Sequence, residues 1–122
     1  MAKKILVIDD DPYTVKYLET LFQDNGYETC SAANGIEGYD VVQAEKPDLI
    51  TLDLEMSQEW GTRFYRRLSK DPNYKDLPVI VISGMPSSHL AIKKVAAYLS
   101  KPFDADELLQ IVQKTLGEED SK

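Results

Sequence analysis

The chain has little cysteine, little basic charge and no long apolar run, and each shortage narrows what it can be. Cys30 is the single cysteine among 122 residues, so no intrachain disulfide can form. No stretch reads as a signal peptide, or as the roughly 20 apolar residues that a membrane span needs. Fourteen Lys and Arg stand against 21 Asp and Glu, a net charge of −7. Nucleic-acid surfaces rely on basic contacts to phosphate, so direct DNA binding is not expected. The reading is a soluble cytoplasmic protein that contacts neither nucleic acid nor membrane. No linker, repeat or low-complexity block divides it. Its length suits one domain over residues 1–122, with a core at about 3–117 and a frayed tail at 118–122.

What the chain does have is a regular alternation of strand-like and helix-like segments. Ile5–Ile8, Leu49–Leu52 and Val79–Ile82 are short, rich in β-branched residues and apolar on both faces, the pattern of strands covered from both sides. Tyr27–Ala32 is more polar and belongs toward a sheet edge, and Ala97–Ser100 is a short fifth candidate. Between strands the period becomes helical. Val15, Leu18 and Phe22 share a face after Asp11 as N-cap and Pro12 at the first helical position, and Gly26 supplies the stop. Asn34 and Glu37 form a variant capping box before a helix running toward Glu45. Thr62–Ser69 reads as a third helix. Pro86 confines the helix before Ala96 to a short or distorted fourth, and Asp104 with Glu107 opens a last helix that Gly117 ends. The economical arrangement is an α/β fold, a doubly wound five-stranded parallel sheet with helices on both faces.

In such a sheet the carboxyl ends of the strands face one crevice, where ligands bind. Asp9 and Asp10 follow the first strand, Asp53 the third, Ser83 the fourth, and Lys101 the fifth. Three carboxylates, a hydroxyl and an ammonium would therefore converge. That set suits a hard divalent cation such as Mg²⁺ or Mn²⁺, which takes oxygen ligands and keeps several waters. Asp10 and Asp53 are candidate ligands. Adjacent residues point in different directions, so one of Asp9 and Asp10 would act through a bound water. Asp53 is the candidate nucleophile, since a carboxylate forms an aspartyl phosphate directly, and Lys101 and Ser83 are placed to neutralise and hold phosphoryl oxygens.

With these residues placed, the chain resembles a response-regulator receiver domain of two-component signalling, of the single-domain chemotaxis type. The motifs are Ile5–Pro12, Asp48–Met56, Val79–Gly84 and Tyr98–Phe103, in the family's order and spread over nearly the whole chain. The resemblance implies a flavodoxin-like sheet of order 2-1-3-4-5. It implies a histidine kinase or histidine phosphotransfer protein as donor to Asp53. It also implies Mg²⁺ held by Asp10, Asp53 and the backbone carbonyl of Glu55, with Asp9 acting through water. Ser83 and Tyr98 occupy the family's switch pair, and the Lys101–Pro102 bond would be cis. Such a domain catalyses its own phosphorylation and dephosphorylation without being an enzyme in the ordinary sense. Output would pass through contacts with an unknown downstream protein, from a monomer or a weak phosphorylation-dependent dimer.

Three features depart from the family pattern. Ser57 stands where proline is usual and Trp60 where a small or polar residue is usual. The span from Ser83 to Lys101 is short by roughly four residues, about one helical turn. Glu55 sets an acidic side chain two residues beyond the phosphoacceptor. The altered loop and the shortened span motivate an alternative, a pseudo-receiver acting as a constitutive interaction module. The acid-x-acid spacing of Asp53 and Glu55 suggests a third class, an Asp-nucleophile phosphohydrolase, although the chain lacks room for a substrate cap. His89, the single histidine, is read as a solvent-facing helix residue without a chemical role.

Overall fold

The computed structural model describes residues 2–53, 60–84 and 96–117, with the side chains of 60–62 excepted. Its strands are β1 (Lys4–Ile8), β2 (Glu28–Ala32), β3 (Leu49–Leu52), β4 (Val79–Ser83) and β5 (Ala97–Ser100). They form one parallel sheet in the order β2-β1-β3-β4-β5, which puts the polar β2 at an edge as its composition requires. The described helices are α1 (Pro12–Asp24), α2 (Gly35–Glu45), α3 (Trp60–Lys70) and α4 (Ala105–Thr115). The expected short fourth helix near Pro86, His89, the Glu55 carbonyl, Ser57 and the tail lie outside the described residues. None of the described helices is long and apolar enough to cross a membrane.

Helix starts follow local chemistry. The Asp11 carboxylate accepts from the Tyr13 N–H at 3.1 Å and the Thr14 hydroxyl at 2.8 Å, while Pro12 takes the first position, where no N–H is needed. The Asn34 side chain accepts from the Glu37 N–H at 2.8 Å. The Glu37 carboxylate reaches one residue further back than a regular capping box, accepting from Ala33 N–H at 2.8 Å. Asp104 caps α4 through a longer 3.4 Å bond from the Asp106 N–H.

The end of α1 corrects the second strand's expected start. Gly26 adopts φ +92°, and the Tyr27 N–H donates to the Phe22 carbonyl at 3.0 Å, closing a Schellman motif. The Phe22 and Tyr27 rings meet edge-on at 6.3 Å, the apolar contact that accompanies this motif. Tyr27 thus belongs to the helix cap, and β2 begins at Glu28. Helix α3 starts two residues before and ends one after the expected Thr62–Ser69, because no N-cap signal marks its entry.

Alternation along the buried strands splits the core in two. Leu6, Ile8, Ile50, Leu52, Val79 and Val81 pack with Tyr39 and Val42 of α2 and Phe64 and Leu68 of α3. Ile5, Val7, Leu49, Ile80 and Ile82 pack on the other face with Leu18 and Phe22 of α1 and Leu108 and Val112 of α4. At Gly38, α2 lies so close to the sheet that a Cβ would stand 2.8 Å from Ile8 Cδ1.

Candidate functional site at the carboxyl end of the sheet

Strand register brings the acidic residues together. Ile8 pairs with Leu52, so Asp9 and Asp53 are the next positions on adjacent strands, and the Asp53 N–H donates to the Ile8 carbonyl at 3.0 Å. Both carboxylates are buried, each residue only 4% exposed. One oxygen from each of Asp9, Asp10 and Asp53 can be chosen so that all lie within 4.8 Å of one another. Charges desolvated this closely need compensation.

Part of it comes from Lys101, whose Nζ lies 3.4 Å from an oxygen of Asp9 and 3.4 Å from one of Asp53. The Lys101 N–H donates to the Ser83 carbonyl at 3.0 Å, continuing the β4–β5 ladder by one residue and fixing where the side chain starts. Partial burial works against the ammonium, but the carboxylates of Asp53 and Asp9 outweigh it and hold its pKa above the ordinary lysine value. The Lys101–Pro102 peptide is cis, as the resemblance implied.

The two adjacent aspartates differ. Asp9 is engaged at both oxygens, one accepting from the Asp11 N–H at 2.9 Å and the other facing Lys101. The Asp10 carboxylate is exposed and takes no hydrogen bond from the described residues, which leaves its oxygens available to a cation. An all-oxygen donor set of this charge and spacing fits a hard divalent ion.

Ser83 is buried at 2% exposure at the end of β4. Tyr98 is partly exposed on β5 opposite Val81, and packs against the core shared by α2 and α3. Alternation places Ser83 on the same sheet face two residues on from Val81, so the hydroxyl and the ring lie on one face of neighbouring strands. Burial pushes the Tyr98 phenol above its usual pKa.

Two features of this end are not apparent from motif reading. Tyr13 and Tyr17, 85% and 50% exposed, stand one turn apart on α1. With Thr14, Lys101, Pro102 and Phe103 they line a cleft of about 380 Å³ beside the carboxylates. The i, i+4 spacing of two tyrosines on an otherwise polar face was the available signal. Thr51, one pleat below Asp53, is 2% exposed between Val7 and Ile80, and its hydroxyl has no hydrogen-bond partner.

Comparison with known proteins agrees with this geometry. The response regulator receiver domain model matches residues 5–113, and the chain belongs to that family. It is 34% identical to protein Rrf1 of Nitratidesulfovibrio vulgaris, covering 96% of this chain and 85% of that one. It is 27% identical to the polar-differentiation response regulator DivK of Brucella anthropi, covering 97% and 99%. Among solved structures, a CheY-like receiver domain protein of Methanospirillum hungatei superposes with a TM-score of 0.86 at 26% identity, covering 97% of this chain and 96% of that one. Receiver domains interact with histidine kinases or phosphotransfer proteins and bind Mg²⁺ at an acidic pocket.

Proposed function

We propose that residues 1–122 act as one cytoplasmic receiver unit in which Asp53 accepts phosphate from the phosphohistidine of a kinase or phosphotransfer protein. The observation that carries this reading is the shared cation: one ammonium, from Lys101, 3.4 Å from each of two buried carboxylates, with Asp10 open beside them. An Asp53 carboxylate oxygen attacks phosphorus, the P–N bond breaks, and its electron pair returns to the donor imidazole. Lys101 and the Ser83 hydroxyl hold the phosphoryl oxygens in line. Asp10, Asp53 and the Glu55 carbonyl would hold Mg²⁺, with Asp9 acting through water because its own oxygens are already engaged. When bound, the ion neutralises charge on the equatorial phosphoryl oxygens.

The exposed rings of Tyr13 and Tyr17 and the cleft they share with Phe103 give the incoming donor an apolar bearing surface beside the carboxylates. Readout follows from Ser83 and Tyr98. Drawing Ser83 toward new phosphoryl oxygens opens room on its sheet face, and Tyr98 turns into it, changing the β5 surface presented to a downstream protein.

Intact-mass spectrometry after incubation with Mg²⁺ and acetyl phosphate tests the reading. One phosphoryl group should add to the parent chain and none to Asp53→Asn. An unmodified parent, while a known receiver is modified in the same tube, would favour the constitutive interaction module instead.

A further inference from the structure

Helix α3 carries a charge pattern unlike the rest of the chain. Arg63, Arg66, Arg67 and Lys70 stand at i, i+3, i+4 and i+7, the spacing of a single helix face, and Trp60–Lys70 contains no Asp or Glu. All four are exposed, while Phe64 and Leu68 bury the opposite face. Taking the +4 of this helix from the chain's −7 leaves −11 on the remainder.

Ordinary causes cover part of the stripe. Arg67 and Lys70 lie in the last turn, where cations meet the negative end of the helix dipole. The Arg67 guanidinium also lies 3.8 Å from the centre of the Tyr39 ring, and Arg63 has a partner of its own. Arg66 has no such account. Among the described residues, neither its side chain nor that of Lys70 makes an ion pair or hydrogen bond. Each sits beside like charges on the same face, an arrangement that raises the helix energy until an opposite charge arrives. Solvated helix faces ordinarily mix signs to avoid this.

We propose that this stripe is a docking face for an acidic segment of a protein partner, whose carboxylates pair with Arg66 and Lys70. The planar fork of Arg66 takes a carboxylate through two parallel hydrogen bonds. A short acidic segment stays within the reach of the stripe. A nucleic-acid duplex extends beyond it and meets the −11 carried elsewhere. A membrane is disfavoured because no described side chain of α3 is both apolar and exposed for insertion. The stripe contains neither Ser83 nor Tyr98, the residues assigned above to the phosphate-driven switch, so it adds a contact to that reading.

Titrating the isotope-labelled full chain with an oligoglutamate peptide, followed by amide chemical shifts, tests the proposal. Shifts should concentrate on residues 63–70, and affinity should fall about tenfold or more on raising the salt. The Arg66→Glu, Lys70→Glu double variant should bind about tenfold more weakly, and the milder Arg66→Gln should weaken binding without reversing charge. A Lys46→Glu, Lys114→Glu variant makes the same net-charge change away from α3 and should bind like the parent. Equal weakening by both double variants overturns the proposal, as does absent binding or a shift pattern centred off α3. Tighter binding of a DNA duplex or of phosphatidylglycerol vesicles than of the peptide overturns the choice of a protein partner.

Discussion

The two ends of the sheet handle charge in opposite ways. At the amino end several polar groups of the described residues are closely paired. The Lys4 ammonium meets Glu45 at 2.8 Å, the Lys4 N–H donates to Asp48 at 2.8 Å, and the Tyr39 hydroxyl donates to Asp71, which also accepts from the Asn73 N–H at 2.9 Å. Arg67 covers the Tyr39 ring and Tyr74 meets it edge-on at 6.1 Å, tying α2 to α3 and the loop that follows. At the carboxyl end one ammonium serves two buried carboxylates, and among the described residues a third carboxylate takes no hydrogen bond and the Thr51 hydroxyl below them has no partner. One cation shared by two buried carboxylates, against close individual pairs at the other end, marks the carboxyl end as the one suited to a ligand.

The contrast is most exposed to failure at Lys101. Lys101→Met removes the cation shared by the buried Asp9 and Asp53 and should cost about 3 kcal/mol in urea denaturation, with saturating Mg²⁺ restoring part of it. A variant as stable as the parent would show that the site is not under charge strain. Tyr39→Phe removes the phenol bonded to Asp71 and should cost about 1.5 kcal/mol while leaving phosphoryl uptake unchanged, since the bond is far from the crevice. Thr51→Val replaces the orphan hydroxyl with a methyl group and should stabilise the chain by about 1 kcal/mol. A loss of stability there would mean the hydroxyl is satisfied in solution and would remove one half of the contrast.

The smallest expected effect is alkaline. The hydrogen bond to Asp71 raises the Tyr39 phenol above its usual value of 10.0, and Asp53 and Asp9 raise Lys101 above 10.5 despite its partial burial. Both folded-state values are raised, so both contributions are present in full below the unfolded values and fade as pH rises through the folded ones. The stability difference between the parent and Tyr39→Phe should therefore narrow as pH climbs past 10. A difference that holds constant would mean that packing, not the hydrogen bond, accounts for Tyr39.

Much of this was legible in the chain. The strands over Leu49–Leu52 and Ala97–Ser100 and the caps at Asp11, Asn34 and Asp104 stand where local pattern put them, because apolar runs and side-chain acceptors act over a few residues. Tyr27 misled the reading because an aromatic beside a polar strand looks like part of it, whereas its N–H is taken by a helix end. The entry to α3 carries no cap signal and could not be placed to the residue. The aromatic cleft at Tyr13, Tyr17 and Phe103 joins two segments that no motif links.

By itself the sequence determined which residues end the strands, and so which chemical groups could reach the crevice, because strand and turn preferences are local. Tertiary structure alone decided that Lys101 stands equidistant from Asp9 and Asp53, that Asp10 stays open while Asp9 is engaged at both oxygens, and that Arg67 lies over Tyr39. The first of these joins residues 92 apart in the chain, and the last joins two helices packed side by side, so both are fixed only when the whole fold closes.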